Sequence, residues 1–125
     1  MTSDNAATRR VLIADDEESI RRLVSSILDK DYLVLKAADG QEALDTARRH
    51  KPNLILMDIM MPRMDGYSAC AALKKDPQTA HIPVVMLTGV GHQLNRVLAM
   101  QMGADDYITK PFDVTELKAI TAKFI

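Results

Sequence analysis

Residues 11–14 (VLIA), 54–57 (LILM) and 84–87 (VVML) are apolar runs with no polar residue at alternate positions. A strand with one wet face shows a period of two, so these runs predict strands covered on both faces, as in a parallel sheet. Residues 32–37 (YLVLKA) and 106–109 (DYIT) are shorter or more polar and fit edge strands. Between the strands, helical spacing recurs in Ile20, Leu23, Val24, Ile27 and Leu28, in Ala43, Leu44 and Ala47, in Leu94, Val97 and Leu98, and in Leu117, Ile120 and Phe124. Asp39 with Glu42 and Asp113 with Glu116 have capping-box spacing, Pro77 stops the third helix, and Gly103 can close the fourth. Five βα units with short connections predict right-handed crossovers and helices on both faces of the sheet. With strands one, three and four central, the strand order becomes 2-1-3-4-5. At 125 residues there is room for one core, so residues 9–125 form one domain behind a flexible polar tail at 1–8.

Open α/β sheets bind ligands beyond the carboxyl ends of the strands at the topological switch, here between strands one and three. The first strand runs into ADDEE and the third into Asp58, so Asp15, Asp16 and Asp58 converge on one crevice. Partly desolvated carboxylates repel one another, and a hard divalent cation relieves this. Mg²⁺ fits, because it takes oxygen ligands, keeps several waters and commonly works beside a phosphate. His50, His81 and His92 fall at helix ends or in loops without ligand spacing and read as surface residues. Thr88 and Gly89 end the fourth strand and Lys110 follows the fifth, bringing a hydroxyl, an approachable amide and an ammonium to the same rim. A metal, a lysine, a hydroxyl and a carboxylate nucleophile are the parts that move a phosphoryl group onto an aspartate, a transfer catalysed mostly by positioning and charge neutralisation.

The pair Asp15/Asp16, Asp58 within MDIMMPRMDG, Thr88 with Gly89, and GADDYITKPF at 103–112 resemble the receiver domain of two-component response regulators, over about residues 9–125. The resemblance implies a flavodoxin-like, doubly wound five-stranded parallel sheet with five helices. It implies that Asp58 accepts a phosphoryl group from a sensor histidine kinase, a histidine phosphotransfer protein or a small phosphodonor. Asp16, Asp58 and the backbone carbonyl of Met60 would hold Mg²⁺ directly, with Asp15 acting through water. Lys110 would pair with Asp58 and then with a phosphoryl oxygen, alongside Thr88 and Gly89, and the Lys110–Pro111 bond would be cis. Thr88 and Tyr107 would form a switch that remodels the face of helix four, strand five and helix five for a downstream effector or attached output domain. Pro62 and Gly66 would shape the loop after Asp58. No turnover of an external substrate is expected.

Two departures from the family's common patterns carry information. Met60 and Val90, two past Asp58 and Thr88, flank the path of the hydrolytic water in the family and cannot hydrogen-bond it through their side chains, which implies slow self-dephosphorylation. GADDYITKPF is similar to receivers that precede winged-helix DNA-binding domains, and Arg96, Asp105, Asp106 and Glu116 sit where such proteins pair charges across a homodimer. Ile120 stands where an arginine would complete that set, and exposed pairs of this kind contribute little.

A net charge of -1 gives no electrostatic case for direct binding to nucleic acid or membrane. The single cysteine, Cys70, excludes an intrachain disulfide, and no apolar stretch approaches the roughly 20 residues of a spanning helix, which together suggest a cytoplasmic protein. Glu17 reads as favourable charge at a helix N-terminus, and the eight methionines as core and loop filler. Three competing functions fit less well. An aspartyl phosphatase or phosphotransferase would carry Asp-x-Asp on its first strand. A flavin or nucleotide binder would carry a glycine-rich loop there. The intact acid, threonine and lysine set argues against a degenerate docking receiver.

Overall fold

A computed structural model of the protein describes residues 9–89 and 96–125. The tail expected at 1–8, together with Val90, His92 and Leu94, lies outside the described residues. Five strands, β1 (Arg10–Ala14), β2 (Leu33–Ala37), β3 (Leu54–Asp58), β4 (Val84–Thr88) and β5 (Asp106–Thr109), alternate with five helices. The helices are α1 (Glu18–Leu28), α2 (Gly40–His50), α3 (Gly66–Lys75), α4 (Arg96–Gln101) and α5 (Val114–Phe124). All strand pairs are parallel and the order is β2-β1-β3-β4-β5. No helix among the described residues is long and apolar enough to cross a membrane.

The unbroken apolar runs are explained by two cores, one on each face of the sheet. Leu12 and Ala14, Ile55 and Met57, and Val84 and Met86 point to one face and pack with Ala43, Leu44 and Ala47 of α2 and Ala69, Cys70 and Leu73 of α3. Val11 and Ile13, Leu54 and Leu56, and Val85 and Leu87 point to the other, against Val24 and Leu28 of α1 and Leu117 of α5. Every residue of β3 and β4 is buried. Such a strand cannot slip by one position without exchanging its two faces, and the wrong face would meet side chains of the wrong size.

Capping fixes where the helices start. Asp39 and Asp65 accept the amides of Glu42 and Ser68, and Asp113 and Glu116 form a reciprocal capping box at α5. At α2 the reciprocal half is displaced by one residue, since Glu42 accepts from the amide of Ala38. Helix α3 ends at Lys75, two residues before Pro77, and Gly103 takes a φ of 94° just past α4.

Two of the predicted apolar stripes are only partly buried. Leu23 flanks the α1 stripe and is 42% exposed, because Val24 and Leu28, one turn apart, already fill the contact with the sheet. On α4 the small Ala99 is buried while Val97 is 67% exposed, and Met100 also faces solvent.

Candidate functional site

The carboxyl ends of β1 and β3 lie side by side, with Ala14 paired to Met57. This register brings a carboxylate oxygen from each of Asp15, Asp16 and Asp58 to within 4.8 Å of the others. Asp15 is fully buried, Asp58 is 6% exposed, and Asp16 is at the surface.

Lys110 reaches this cluster from the end of β5. Its amide donates to the Thr88 carbonyl at 2.7 Å, which extends the β4–β5 ladder by one bond, and the Lys110–Pro111 peptide is cis as expected. The Lys110 Nζ lies 2.6 Å from Asp15 Oδ2, 3.3 Å from Asp58 Oδ1 and 4.0 Å from Glu17 Oε1. The expected Lys110–Asp58 pair is present, but the shorter contact is to Asp15. That carboxylate is the more deeply buried and gains more from an ammonium.

Burial of the Asp58 carboxyl, reinforced by the charge of Asp15 and only partly offset by Lys110, pushes its pKa up from 3.8 to about 6. For Lys110, burial disfavours the charged form. The hydrogen bond and charge of Asp15, followed by those of Asp58, outweigh burial and raise its pKa above the ordinary lysine value.

The donor set fits a hard divalent cation. All three acids offer oxygen and one ammonium faces them, so at Asp58 a bound dication would offset both the burial of the carboxylate and the charge of Asp15, which Lys110 offsets only in part. Asp15 is already engaged on both oxygens, Oδ2 by Lys110 and Oδ1 by the Glu17 amide at 2.9 Å. Asp16 and Asp58 are therefore the better placed to face a metal.

Thr88 is buried at the end of β4, and Gly89 follows it half-buried. Tyr107, paired in register with Met86, is half-buried against the α2–α3 core. Met60 lies in the β3–α3 loop and is 61% exposed. His50 and His81 are exposed and stand outside the acidic cluster.

The loop after Asp58 is shaped by more residues than Pro62 and Gly66. A hydrogen bond of 2.7 Å from the Met64 amide to the Pro62 carbonyl closes a three-residue turn around Arg63, whose φ is 68°. Gly66 donates to the Ile59 carbonyl, and a Cβ there would sit 2.2 Å from the Asp58 carbonyl oxygen. Gly40 supports the other side, since a Cβ on it would lie 2.3 Å from the Met64 carbonyl oxygen. Sequence reasoning missed Gly40 and also Arg21, which donates to the Asp15 carbonyl at 2.7 Å. Their only sequence signals were a glycine opening a helix and a basic residue one turn into another, and neither is distinctive.

The acids expected to pair across a dimer are committed within the chain. Asp105 accepts from Lys74 and the Val84 amide, Asp106 pairs with Lys123 at 2.7 Å, and Glu116 belongs to the α5 capping box.

A model of the response regulator receiver domain matches residues 11–122. The probable transcriptional regulator ycf27 of Cyanophora paradoxa is 44% identical over 89% of this chain and 46% of its own length. The alkaline phosphatase synthesis transcriptional regulatory protein PhoP of Bacillus subtilis is 42% identical over 89% of this chain and 46% of its own. The chain thus spans about half the length of the curated relatives it matches. Among solved structures, chemotaxis protein CheY4 of Vibrio cholerae superposes with a TM-score of 0.88 at 33% identity, covering 95% of this chain and 100% of that one. The receiver domain of the Pseudomonas aeruginosa sensor histidine kinase PA1611, with a magnesium ion coordinated in its active-site cleft, gives 0.86 at 31% identity, covering 94% and 98%. A fold and a sequence that match the same family over nearly the whole chain identify it as a receiver domain of the two-component response regulators.

Proposed function

We propose that Asp58 is the phosphoacceptor of this receiver, and that Asp16 and Asp58, with the Met60 carbonyl, hold Mg²⁺ while Asp15 acts through water. The observation that carries this reading is the placement of one buried carboxylate between two further acids and a lysine, 3.3 Å from its Nζ. The magnesium held by the PA1611 receiver supports the choice of ion. When bound, Mg²⁺ supplies positive charge that offsets the carboxylates and the entering phosphoryl oxygens.

The chain's own residues account for the rest. An Asp58 carboxylate oxygen forms the new bond to phosphorus as the bond to the donor breaks, and the donor leaves with that electron pair. The donor is a phosphohistidine of a sensor kinase or phosphotransfer protein, or a small acyl phosphate. Lys110, already between Asp15 and Asp58, meets a phosphoryl oxygen without a large excursion. The Thr88 hydroxyl and Gly89 amide donate to the remaining oxygens, and Tyr107 follows Thr88 inward. The α4–β5–α5 face then carries the signal to an attached output domain or a separate effector in the cytoplasm, without turnover of an external substrate. A homodimer through this face would first have to release the intrachain pairs of Asp105 and Asp106.

Mass spectrometry after incubation with acetyl phosphate and Mg²⁺ tests the reading. The expected result is one HPO₃ unit, mapped to the peptide that contains Asp58 and lost when Mg²⁺ is chelated. An adduct on another residue, or an adduct indifferent to the metal, would overturn it.

The exposed thioether of Met60 cannot orient a water, so the acyl phosphate should be long-lived. Met60→Asn is expected to speed phosphate release by about tenfold, which corresponds to about 1.4 kcal/mol, the worth of one good hydrogen bond to the attacking water. Phosphate release from purified phosphoprotein measures it, and an unchanged rate would count against the role of this position.

A further inference from the structure

We propose that Arg21 is a positioning residue for the metal-facing carboxylates, acting through the carbonyl of Asp15. The inference rests on the proposed Mg²⁺-dependent function and adds a residue to it. Every polar atom of Asp15 has a partner. Its amide donates to the Ala37 carbonyl at 3.0 Å, Oδ1 accepts from the Glu17 amide, Oδ2 accepts from Lys110, and its carbonyl accepts from the Arg21 guanidinium at 2.7 Å. The first two bonds are backbone-donated and Lys110 belongs to the chemistry. Among the described residues, Arg21 is thus the one side chain outside the reacting groups that fixes this residue.

The start of α1 makes the contact matter. Its N-cap residue, Glu17, makes no side-chain capping bond. The β1–α1 turn is held by the Asp15 Oδ1–Glu17 amide bond inside it and by Arg21, which reaches back over the first helical turn to the end of β1. Asp16 lies between these two anchored residues. It is exposed, and its carboxylate makes no hydrogen bond among the described residues, so its direction is inherited from the turn. Loss of Arg21 would leave the Asp15 carbonyl to water and let the turn, with Asp16, relax away from Asp58. Supporting groups of this kind change metal affinity without touching the metal. Arg22 provides the contrast. Its guanidinium pairs with Glu18 on the surface, 2.7 Å away and with both side chains more than half exposed.

The test is the Mg²⁺ affinity of the whole chain by isothermal titration calorimetry, beside the rate of phosphorylation by acetyl phosphate as a function of Mg²⁺. Arg21→Met, which keeps most of the alkyl packing, is expected to bind Mg²⁺ about tenfold more weakly, with an unchanged rate at saturating Mg²⁺. Arg21→Lys, which can still donate, should recover most of the affinity, and Arg22→Met should bind as the wild type does. Should Arg21→Met fail to fold, Arg21→Gln, too short to reach the carbonyl, takes its place. The proposal is overturned if the Arg21 variant keeps wild-type affinity, or if Arg22→Met loses as much, which would make the effect one of general charge. Failure of the wild type to bind Mg²⁺ would instead remove the proposed function beneath it, so the two failures are told apart.

Discussion

Asp58→Asn is expected to make the protein more stable at pH 7 while abolishing the phosphoryl adduct. The folded protein holds a proton on Asp58 with a pKa of about 6, against 3.8 for an ordinary aspartate. A gap of roughly two units corresponds to about 3 kcal/mol at 1.36 kcal/mol per unit. The sign follows from where the proton binds more tightly. The folded state has the higher affinity, so the contribution is fully favourable below pH 3.8, where Asp58 is protonated folded or unfolded, and is lost as pH rises to about 6. Above that the ionised group works against folding. Asparagine removes the charge and keeps the shape, but it weakens the hold on Lys110 and brings an amide that must find partners. A net gain of about 2 kcal/mol at pH 7 is therefore expected.

Urea unfolding of wild type and variant in the presence of a chelator measures the effect. The gap should be near its full value at pH 7 and close to zero at pH 4, where the folded wild-type carboxyl is neutral and the unfolded one only about half ionised. Titrating groups remote from Asp58 are common to both proteins and cancel in the difference, whereas Lys110, coupled to it, belongs to the effect measured. Saturating Mg²⁺ should stabilise the wild type and narrow the gap, because a ligand that binds only the folded state adds to its stability. A gap independent of pH would mean that the charge at Asp58 is not its source.

Gly66→Ala is expected to damage both folding and chemistry. The added methyl carbon would sit 2.2 Å from the Asp58 carbonyl oxygen and 2.9 Å from the Ile59 Cα. Both obstacles are backbone, so no side chain can swing away and the end of β3 must move, carrying the phosphoacceptor with it. Overpacking of this kind costs about 3 kcal/mol when the backbone has to shift. Misplacing a reacting group by about an ångström costs up to roughly a hundredfold in rate. Denaturant unfolding and acetyl phosphate kinetics at saturating Mg²⁺ read the two effects separately. Ser68→Ala, at an exposed position in the same first turn, should lower stability only slightly and leave the rate near wild type. A Gly66→Ala protein as stable and as fast as the wild type would refute the close packing seen beneath the site.

Much of the fold was legible because its physics is local. The runs at 11–14, 54–57 and 84–87 lack alternation because each strand feeds two cores, and a strand so placed has to be central. Where helices have a cap, as at Asp113, the signal is two residues three apart. The stripes were less faithful. Periodicity locates the apolar side of a helix but not how much of it the neighbours can cover, so Leu23 and Val97 emerged exposed. The convergence of Asp15, Asp16 and Asp58 could be anticipated because all three end or follow strands whose order was already predicted.

Strand order, the end of the sheet where chemistry gathers and the residue types that gather there can all be read along the chain, because hydrophobic period and strand-end position are properties of short segments. Packing in three dimensions sets which carboxylate Lys110 approaches most closely, that Arg21 anchors the Asp15 carbonyl, and that Gly40 and Gly66 brace the loop from two sides. These depend on distances of a few ångströms between residues that can be almost a hundred positions apart, as Lys110 and Asp15 are, and on how deeply each group is withdrawn from water. Neither quantity exists until the chain has packed.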